Sequence, residues 1–354
     1  MLRSDILPEL AAAARVAGSI TEDMKLASIE ADGTNMNIQA TDYDLTLSAF
    51  MPSDAIIGRV GINAKLLYEV VRGAGEELEM RAADGRITIK SSAGKHSLAC
   101  LESNRIVGPQ ISNPATIKSS LFLEMLDATL GVVPSHFDST YAIHGAQLKL
   151  AQGLIQVAST DQSRMAVSRR AWDGGVEFSG IISRKALHEL HAILQGTEEF
   201  TFEHGPNALR FSCGSVSLTC KVIEGAFPTA VDRVATLTYP VSASLDGVAL
   251  AEAARSAKVV SGTDYSTTKI EISGDQVRVA SESPDGSFER FIPAEIEGGE
   301  VSFHVNGKGL AGLLALRKGL IRIEAINPKQ PILLKPMEWP GDVFAMAPIS
   351  QVPA

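Results

Sequence analysis

Residues 180–196 read GIISRKALHELHAILQG and contain the end of a strand, a helix start and a helix stop. Ile181 and Ile182 are β-branched residues typical of strands, and Ser183 is of a type that often caps helices. Gly196 stands where a glycine often ends a helix. Between them, apolar residues recur at helical spacing, namely Ala186, Leu187, Leu190, Ile193 and Leu194. The stretch therefore predicts a strand followed by an amphipathic helix.

Two other stretches repeat this pattern. Residues 58–73 read GRVGINAKLLYEVVRG, and residues 301–319 read VSFHVNGKGLAGLLALRKG. The closing glycines, at positions 73, 196 and 319, are 123 residues apart each time. A strand–helix unit that recurs at a fixed interval indicates an internal repeat. Three units in 354 residues have about 118 residues each, which is an ordinary domain size.

Shorter phrases also lie at matching places in the three units. They are IQATDYD at residues 38–44, QVASTDQ at residues 156–162 and RVASESP at residues 278–284. The pattern breaks near Asn113 and again over residues 234–240. We therefore predict an α+β fold of three repeated domains, each with two helices packed on antiparallel sheets. Their predicted bounds are residues 1–113, 114–234 and 235–354.

The first predicted helix begins close to the N-terminus. Ser4 is its predicted N-cap, Pro8 is expected in the first turn, and an alanine-rich run continues to about Ala17.

The charge balance argues against a general affinity for nucleic acid. The chain has 32 basic and 41 acidic residues, which gives a formal net charge of −9. Phosphate binding needs a local excess of lysine and arginine, and an acidic body is compatible with a basic strip on one surface. Whether the chain can bind nucleic acid therefore depends on how its basic residues are distributed, and the net charge alone does not answer the question.

The cysteine content and the hydropathy indicate the cellular compartment of the protein. Cys100, Cys213 and Cys220 are odd in number and form no CxxC pair, so we predict reduced, structural thiols with no zinc or disulfide role. No apolar run approaches the roughly 18 residues of a membrane span, and the N-terminus lacks a signal-peptide pattern. The predicted location is cytoplasmic, with no membrane partner.

Two local motifs invite an enzymatic interpretation. Residues 307–312 match GxGxxG, but the equivalent residues of the other units read NAKLLYE and SRKALHE, without glycine. His188 and His191 are spaced i, i+3, whereas the metalloprotease motif needs i, i+4. We therefore predict no catalytic site, no metal and no cofactor. A nucleotide-dependent oxidoreductase using Gly307–Gly312 remains the alternative.

The polar faces of the three repeated helices carry more basic than acidic residues. The first face has Lys65, Tyr68 and Arg72, the second has Arg184, Lys185, His188 and His191, and the third has Lys308, Arg317 and Lys318. Ordinary solvated faces, with basic residues near helix C-termini, are one explanation. Repetition of a basic face favours a surface that binds nucleic-acid backbone without reading sequence.

Several phrases resemble the β subunit of bacterial DNA polymerase III, the sliding clamp. They are ATDYDLTLSAF at 40–50, ASTDQSRMAVSRR at 158–170, IISRKALHELHAIL at 181–194 and CKVIEGAFP at 220–228. The resemblance covers essentially the whole chain. It implies a non-catalytic processivity factor, in which three similar domains per chain form a six-domain ring as a head-to-tail homodimer around duplex DNA. A divergent paralogue that has lost its DNA function remains a further alternative.

The resemblance also implies binding residues and partners. The candidate DNA contacts are Arg15, Lys65, Arg72, Tyr141, Arg184, Lys185 and Lys308. The implied partners are double-stranded DNA, the DNA polymerase III catalytic subunit, the clamp loader, and other DNA polymerases and repair proteins. The protein partners would bind through short linear motifs in a hydrophobic cleft. The candidate cleft residues are Ile143, Thr160, Ser163, Arg164, Met165, Pro228, Val234, Tyr265, His304, Met346, Pro348 and Ile349.

The chain departs from the family pattern around this cleft. The family tail usually ends Met-Pro-Met-Arg-Leu, whereas residues 346–350 read Met-Ala-Pro-Ile-Ser and four more residues follow. Gln162 and Ser163 replace the family's Gly-His before the cleft arginine. These departures predict a different preference among partners.

Overall fold

A computed structural model describes residues 1–135, 141–234, 236–261 and 267–349. Contacts divide the chain into two compact units. The first unit comprises Met1–Leu123, Gly174–Val176 and Lys185–Val222. The second comprises Glu124–Asp173, Glu177–Arg184 and Ile223–Ala354.

The order of elements repeats three times along the chain. The first series is α1 (Arg3–Val16), β1 (Leu26–Asp32), β2 (Asn35–Thr41), β3 (Leu45–Pro52), β4 (Ile56–Asn63), α2 (Ala64–Arg72), β5 (Glu79–Ala83), β6 (Arg86–Ser91), β7 (Gly94–Ala99) and β8 (Leu101–Glu102). The second is β9 (Ser112–Lys118), α3 (Ser119–Thr129), β10 (Gly145–Ala151), β11 (Leu154–Thr160), β12 (Arg164–Ala171), β13 (Phe178–Ser183), α4 (Arg184–Ile193), β14 (Glu199–His204), β15 (Ala208–Cys213), β16 (Val216–Ile223) and α5 (Ala230–Val234). The third is β17 (Val241–Asp246), α6 (Gly247–Val260), β18 (Thr267–Ser273), β19 (Gln276–Ser283), β20 (Gly286–Glu297), β21 (Val301–Asn306), α7 (Gly307–Leu314), β22 (Leu320–Ala325), β23 (Ile332–Pro336) and β24 (Asp342–Met346). This order confirms the predicted α+β fold with an internal repeat, while the three domain bounds stay a prediction.

The first unit is built on two antiparallel sheets. The larger has the strand order β8-β4-β1-β2-β3-β16-β15-β14-β9, and β5-β6-β7 forms the smaller. Helix α1 packs on β2, β3 and α2. Its apolar face buries Ile6 and Leu10, and α2 buries Leu67 and Val71. Burial of these side chains holds the helices to the sheet.

The second unit follows the same plan. One sheet has the order β13-β10-β11-β12-β24-β23-β22-β17-β20, and the other has β21-β18-β19-β20. Strand β20 belongs to both sheets, because residues 286–293 pair with β19 and residues 294–297 pair with β17. Helix α6 packs on β18, β19, β20 and α7, with Leu250 and Ala254 fully buried in the core.

The helix starts follow the sequence signals at some positions and depart from them at others. Helix α4 begins at Arg184, directly after the predicted cap Ser183, and Gly196 has the left-handed φ of +76° expected after a helix. The Ser4 prediction is wrong. Helix α1 begins at Arg3 with Leu2 in the cap position, so Pro8 lies inside the helix.

The start of α1 is fixed by a distant segment. The Arg3 N–H donates to the Glu76 carbonyl at 2.7 Å, and the Ser4 N–H donates to the Glu76 carboxylate at 3.0 Å. Hydrogen bonds from the Ser4 side chain and backbone lower the pKa of Glu76. An acid from another part of the chain therefore takes the place of the local serine cap.

The three cysteines are free thiols in the structure. Cys100 and Cys220 are buried, and burial raises the pKa of Cys220 to about 12. Over the part of the chain that the structure describes, no helix is long and apolar enough to cross a membrane. The same described residues contain no group of three or more histidine, cysteine or acidic side chains that could hold a metal ion.

Candidate partner cleft and basic helix faces

A tight turn between β11 and β12 fixes the arginine of the candidate cleft. Oδ1 of Asp161 accepts hydrogen bonds from the backbone N–H groups of Ser163 at 3.1 Å and Arg164 at 2.9 Å. The Thr160 hydroxyl donates to the Arg164 carbonyl at 2.9 Å. Gln162 takes a φ of +74° at the tip. The phrase Thr-Asp-x-x-Arg thus encodes a rigid loop whose side chains are held by its own acid.

The matching turn of the first unit is built in the same way. Oδ1 of Asp42 accepts from the N–H groups of Asp44 and Leu45, and the Thr41 hydroxyl donates to the Leu45 carbonyl at 3.0 Å. The two turns differ in what the second carboxylate oxygen holds. Oδ2 of Asp161 accepts from Nε of Arg164 at 2.7 Å, whereas Oδ2 of Asp42 accepts from Nζ of Lys185 at 2.6 Å.

Met165 lies between two small apolar clusters of the second unit and is itself half-buried. The first cluster consists of Ala142, Ala158, Val167, Ile181, Ile223 and Phe227. The second consists of Val234, Leu333 and Ala345. A flexible thioether that is only partly covered suits an adaptable apolar surface. This arrangement agrees with the predicted apolar slot for a short peptide.

The C-terminal tail runs beside this slot. Met346 faces Arg164 in the antiparallel pair of β12 and β24. Beyond the strand, the Ala347 N–H donates to the Ser163 carbonyl and the Ile349 N–H donates to the His304 carbonyl, both at 2.7 Å. The tail is thus held by backbone hydrogen bonds as far as residue 349.

The candidate cleft residues that the structure describes all belong to the second unit. Ile143, Thr160, Val234 and Met346 are buried, Ser163 is exposed, and the half-buried set is Arg164, Met165, Pro228, His304, Pro348 and Ile349. Tyr265 lies outside the described residues. The sequence analysis missed three contributors to the apolar walls, Phe227, Leu333 and Tyr239. Of these three residues, Phe227 is the one that the sequence could have indicated, because it directly precedes Pro228 in the quoted phrase CKVIEGAFP.

Two titratable groups near the cleft are perturbed by burial. Burial, with a smaller contribution from the Glu324 carboxylate, raises the pKa of Tyr239 to about 12. The Tyr239 hydroxyl donates to the Val234 carbonyl at 3.0 Å. Burial and then the Lys269 ammonium lower the pKa of His304, against a smaller opposing effect of Glu271. Both groups therefore favour their neutral forms at neutral pH.

A polar cavity of about 480 Å³ lies next to the Asp161 turn. It brings together Ile143, Ser163 and Arg164 of the candidate cleft and Arg184 of the candidate basic surface. The remaining lining residues are Gly131, Val132, Val133, Pro134, Ser135, His144, Asp161 and Gln162. Arg184 donates from its guanidinium to the Val133 carbonyl.

The GxGxxG residues of α7 have neighbours that explain the glycines without a nucleotide. A Cβ on Gly309 would lie 2.8 Å from Cε of Met346, and one on Gly312 would lie 2.9 Å from Nη1 of Arg164. The preceding strand, β21, is antiparallel to β18, whereas a dinucleotide-binding crossover belongs to a parallel sheet. These contacts remove the basis for the oxidoreductase interpretation.

The candidate DNA contacts fall into two groups. Lys65 and Lys308 are exposed in the first turns of α2 and α7. The others form ion pairs or hydrogen bonds with groups of the same chain, and Arg72 among them is exposed. Arg15 pairs with Glu189 at 2.8 Å, and Arg72 pairs with Glu69. Lys185 pairs with Asp42 and also donates to the Val16 carbonyl at 2.8 Å. Arg184 donates to the Val133 carbonyl. The side chain of Tyr141 lies outside the described part of the structure.

Two further observations change the view of the basic faces. The prediction that Arg317 belongs to an exposed basic face is wrong, because α7 ends at Leu314 and Arg317 is buried. Arg255 and Lys258, which the sequence analysis missed, are exposed on α6. The basic surface is therefore sparser on the repeated helix, and part of it lies on the preceding helix of the third series.

Comparison with known proteins identifies relatives of this chain. A family model described as "DNA polymerase III beta subunit, central domain" matches residues 116–229. The beta sliding clamp of Caulobacter vibrioides is 25% identical over 255 residues, which are 61% of this chain and 68% of that protein. The solved DNA polymerase III beta subunit of Thermotoga maritima superposes with a TM-score of 0.93 at 18% identity and covers 99% of both chains. The Pseudomonas aeruginosa subunit gives 0.92 at 18% identity, with the same coverage.

The sequence matches and the shared fold agree with the resemblance inferred from the quoted phrases. The chain is similar to the bacterial DNA polymerase III beta subunits, the beta sliding clamps, in sequence over residues 116–229 and in fold over 99% of its length.

Proposed function

We propose that this protein is a DNA polymerase processivity factor, a ring-shaped homodimer that encircles duplex DNA in the cytoplasm. The observation that carries the proposal is the match of residues 116–229 to the central domain of the DNA polymerase III beta subunit. In that arrangement the chain provides three domains, residues 1–113, 114–234 and 235–354. Two chains close the ring through a heterologous, head-to-tail interface.

Two open strand edges support the head-to-tail dimer. Strand β7 pairs with β6 along one edge, and its other edge has no strand partner among the described residues. Residues 286–293 of β20 pair with β19 and are likewise open on the other side within the described ranges. Phe291, on this part of β20, is 49% exposed. Since unpaired edges readily accept another strand, one protomer's β7 can pair with its partner's β20.

The charge distribution supports a weak, sequence-independent hold on DNA. The exposed lysines Lys65 and Lys308, together with Arg255 and Lys258, provide few phosphate contacts on an acidic chain. Few phosphate contacts mean a low intrinsic affinity for DNA and a shallow dependence of log K on log salt. Retention on DNA then comes from ring closure, which leaves the protein free to slide.

The cleft around Met165 serves as the attachment point for partners. A half-buried apolar slot with one fixed arginine suits a short linear motif, and one tethered motif raises the local concentration of a polymerase at the DNA. The proposed partners are the DNA polymerase III catalytic subunit, the clamp loader, and other DNA polymerases and repair proteins.

Loading on circular DNA tests the encirclement. The purified chain, with the clamp loader of the same organism and ATP, is loaded onto a nicked plasmid and separated by gel filtration. We expect the protein to co-elute with the circle and to be lost after a restriction enzyme linearises the plasmid. Equal loss from circular and linear DNA, or a stable monomer in sedimentation at micromolar concentration, would contradict the ring.

A further inference from the structure

Two glycines of α7 occupy positions where the repeated fold accepts larger residues. Gly309 is the third residue of α7, and the third residues of α2 and α4 are Leu66 and Ala186. Gly312 is the sixth, where α2 and α4 have Glu69 and Glu189. Neither glycine has a left-handed backbone conformation. A helical glycine also destabilises its helix relative to alanine, so the backbone gives no reason for glycine at either place.

The contacts of the two glycines supply a different reason. A Cβ on Gly309 would lie 2.8 Å from Cε of Met346, and a Cβ on Gly312 would lie 2.9 Å from Nη1 of Arg164. Nη1 of Arg164 also donates to the Gly309 carbonyl at 3.4 Å. Both opposing atoms are the far ends of flexible side chains. An added methyl group would therefore move these side chains and leave the helix in place.

The side chains that rest on the glycines border the candidate cleft. Arg164 and Met346 are cross-strand neighbours in β12 and β24. The Asp161 carboxylate orients the Arg164 guanidinium, and the hydrogen bond from Ala347 to Ser163 ties the tail to the same turn. The first two turns of α7 thus form a support behind the point where the tail meets the turn.

We propose that Gly309 and Gly312 are positioning residues that set the specificity of the partner cleft. By letting the Met346 methyl group and the Arg164 guanidinium rest against α7, they keep the part of the cleft beside the tail residues 346–349 open for an apolar side chain of a partner's linear motif. This inference rests on the proposed function of the cleft. It assigns the GxGxxG motif a role in peptide recognition.

Peptide binding measured beside stability tests this assignment. The probe is a fluorescein-labelled peptide that spans the clamp-binding segment of the DNA polymerase III catalytic subunit of the same organism. We expect Gly309→Ala and Gly312→Ala each to weaken binding at least about fivefold, because overpacking displaces the supporting side chains. The melting temperature should stay the same or rise, because alanine favours the helix. Ser256→Ala, at an exposed position of α6, is the matched control and should leave peptide affinity unchanged.

A double-mutant cycle distinguishes positioning from a general effect. Met346→Leu conserves side-chain volume but removes the atom that Gly309 accommodates. In the Met346→Leu background, Gly309→Ala should cause no further loss of affinity. An unchanged affinity of Gly309→Ala, or equal losses in both backgrounds, would overturn the inference while leaving the proposed function intact.

The free protein provides a readout that needs no peptide. The ε-methyl NMR resonance of Met346 should shift in Gly309→Ala and stay in place in Ser256→Ala. An unmoved Met346 resonance in Gly309→Ala would contradict the packing on which the inference depends. If the wild-type protein fails to bind the peptide, the proposed function of the cleft is itself contradicted.

Discussion

The buried carboxylate of Asp342 accepts a 2.7 Å hydrogen bond from Nε of Arg317, and neither residue exposes more than 7% of its surface. The other carboxylate oxygen accepts from Arg170 at 2.7 Å and from the Ser168 hydroxyl at 2.6 Å. The Arg317 guanidinium also lies 4.3 Å from the centre of the Trp339 ring. One acid therefore neutralises two arginines that join β12, β24 and the end of α7 in the second unit.

Asp342→Asn should destabilise the protein by roughly 3–5 kcal/mol, because it keeps the shape of the side chain but removes the counter-charge of the buried Arg317 and the half-buried Arg170. The measurement is the urea midpoint of the unfolding transition, followed by circular dichroism. Glu297→Gln is the control. Glu297 pairs with Arg322 at 2.6 Å but is 71% exposed, so its loss should shift the urea midpoint much less than the loss of Asp342. Equal shifts in the two variants would contradict this account of the cluster.

Met165→Ala combined with Ile349→Ala should weaken binding of a polymerase-derived peptide about tenfold or more, because both side chains are half-buried and supply apolar contact area. Fluorescence anisotropy measures the affinity, and sedimentation should show an intact dimer. Leu154→Ala, at a half-exposed apolar position of β11, is the matched control. Wild-type affinity in the double variant would show that these residues do not form the cleft.

Lys65→Ala and Lys308→Ala should each lower the affinity for a short DNA duplex and reduce the slope of log K against log salt by about one, as expected for the loss of one phosphate contact. Lys185→Ala should change this slope much less, because the Lys185 ammonium is held by Asp42 and the Val16 carbonyl. The measurement is a titration at several salt concentrations. A slope change for Lys185→Ala as large as that for Lys65→Ala would show that the Asp42 pair opens on DNA.

The repeat and most element types could be predicted from the sequence because they depend on local patterns. The matching phrases around Asp42 and Asp161 fold into the same turn, as their common spacing predicted. The hydrogen-bond partner of Oδ2 in each of these two aspartates could not be predicted from local patterns. Lys185 reaches Asp42 from 143 residues away, whereas Arg164 pairs with Asp161 three residues away. The local sequence does not determine which cationic side chain from a distant part of the chain pairs with the aspartate.

The errors at Ser4 and Arg317 have the same physical origin. Ser4 has the residue type of a helix cap, but the Glu76 carboxylate, 72 residues away, accepts from its N–H and the helix begins two residues earlier than a Ser4 cap predicts. Arg317 follows α7 at a position that suits a basic residue near a helix end, yet the fully buried Asp342 draws it into the interior. In both cases a long-range ionic or hydrogen-bonding partner outweighed a local preference that amounts to about 1 kcal/mol.

The pKa of His304 should lie below 6.5, the ordinary value for histidine, because burial and the Lys269 ammonium both disfavour the protonated ring. Titration of its imidazole resonances by NMR measures this pKa directly. Lys269→Met should raise it, since the repulsion is removed while the opposing Glu271 carboxylate stays. A pKa at or above 6.5 in the wild-type protein would contradict the burial of the ring.

The same shift predicts the direction of a pH effect on stability. Between the lowered pKa of folded His304 and the 6.5 of the unfolded chain, the unfolded state binds more protons at this site. The contribution of His304 to the free energy of unfolding is therefore fully present above about pH 6.5 and is lost as the pH falls through the folded pKa. His304→Gln should show a smaller decline of the urea midpoint between about pH 7 and pH 5 than the wild type. A steeper decline in the variant would reverse the sign of this linkage.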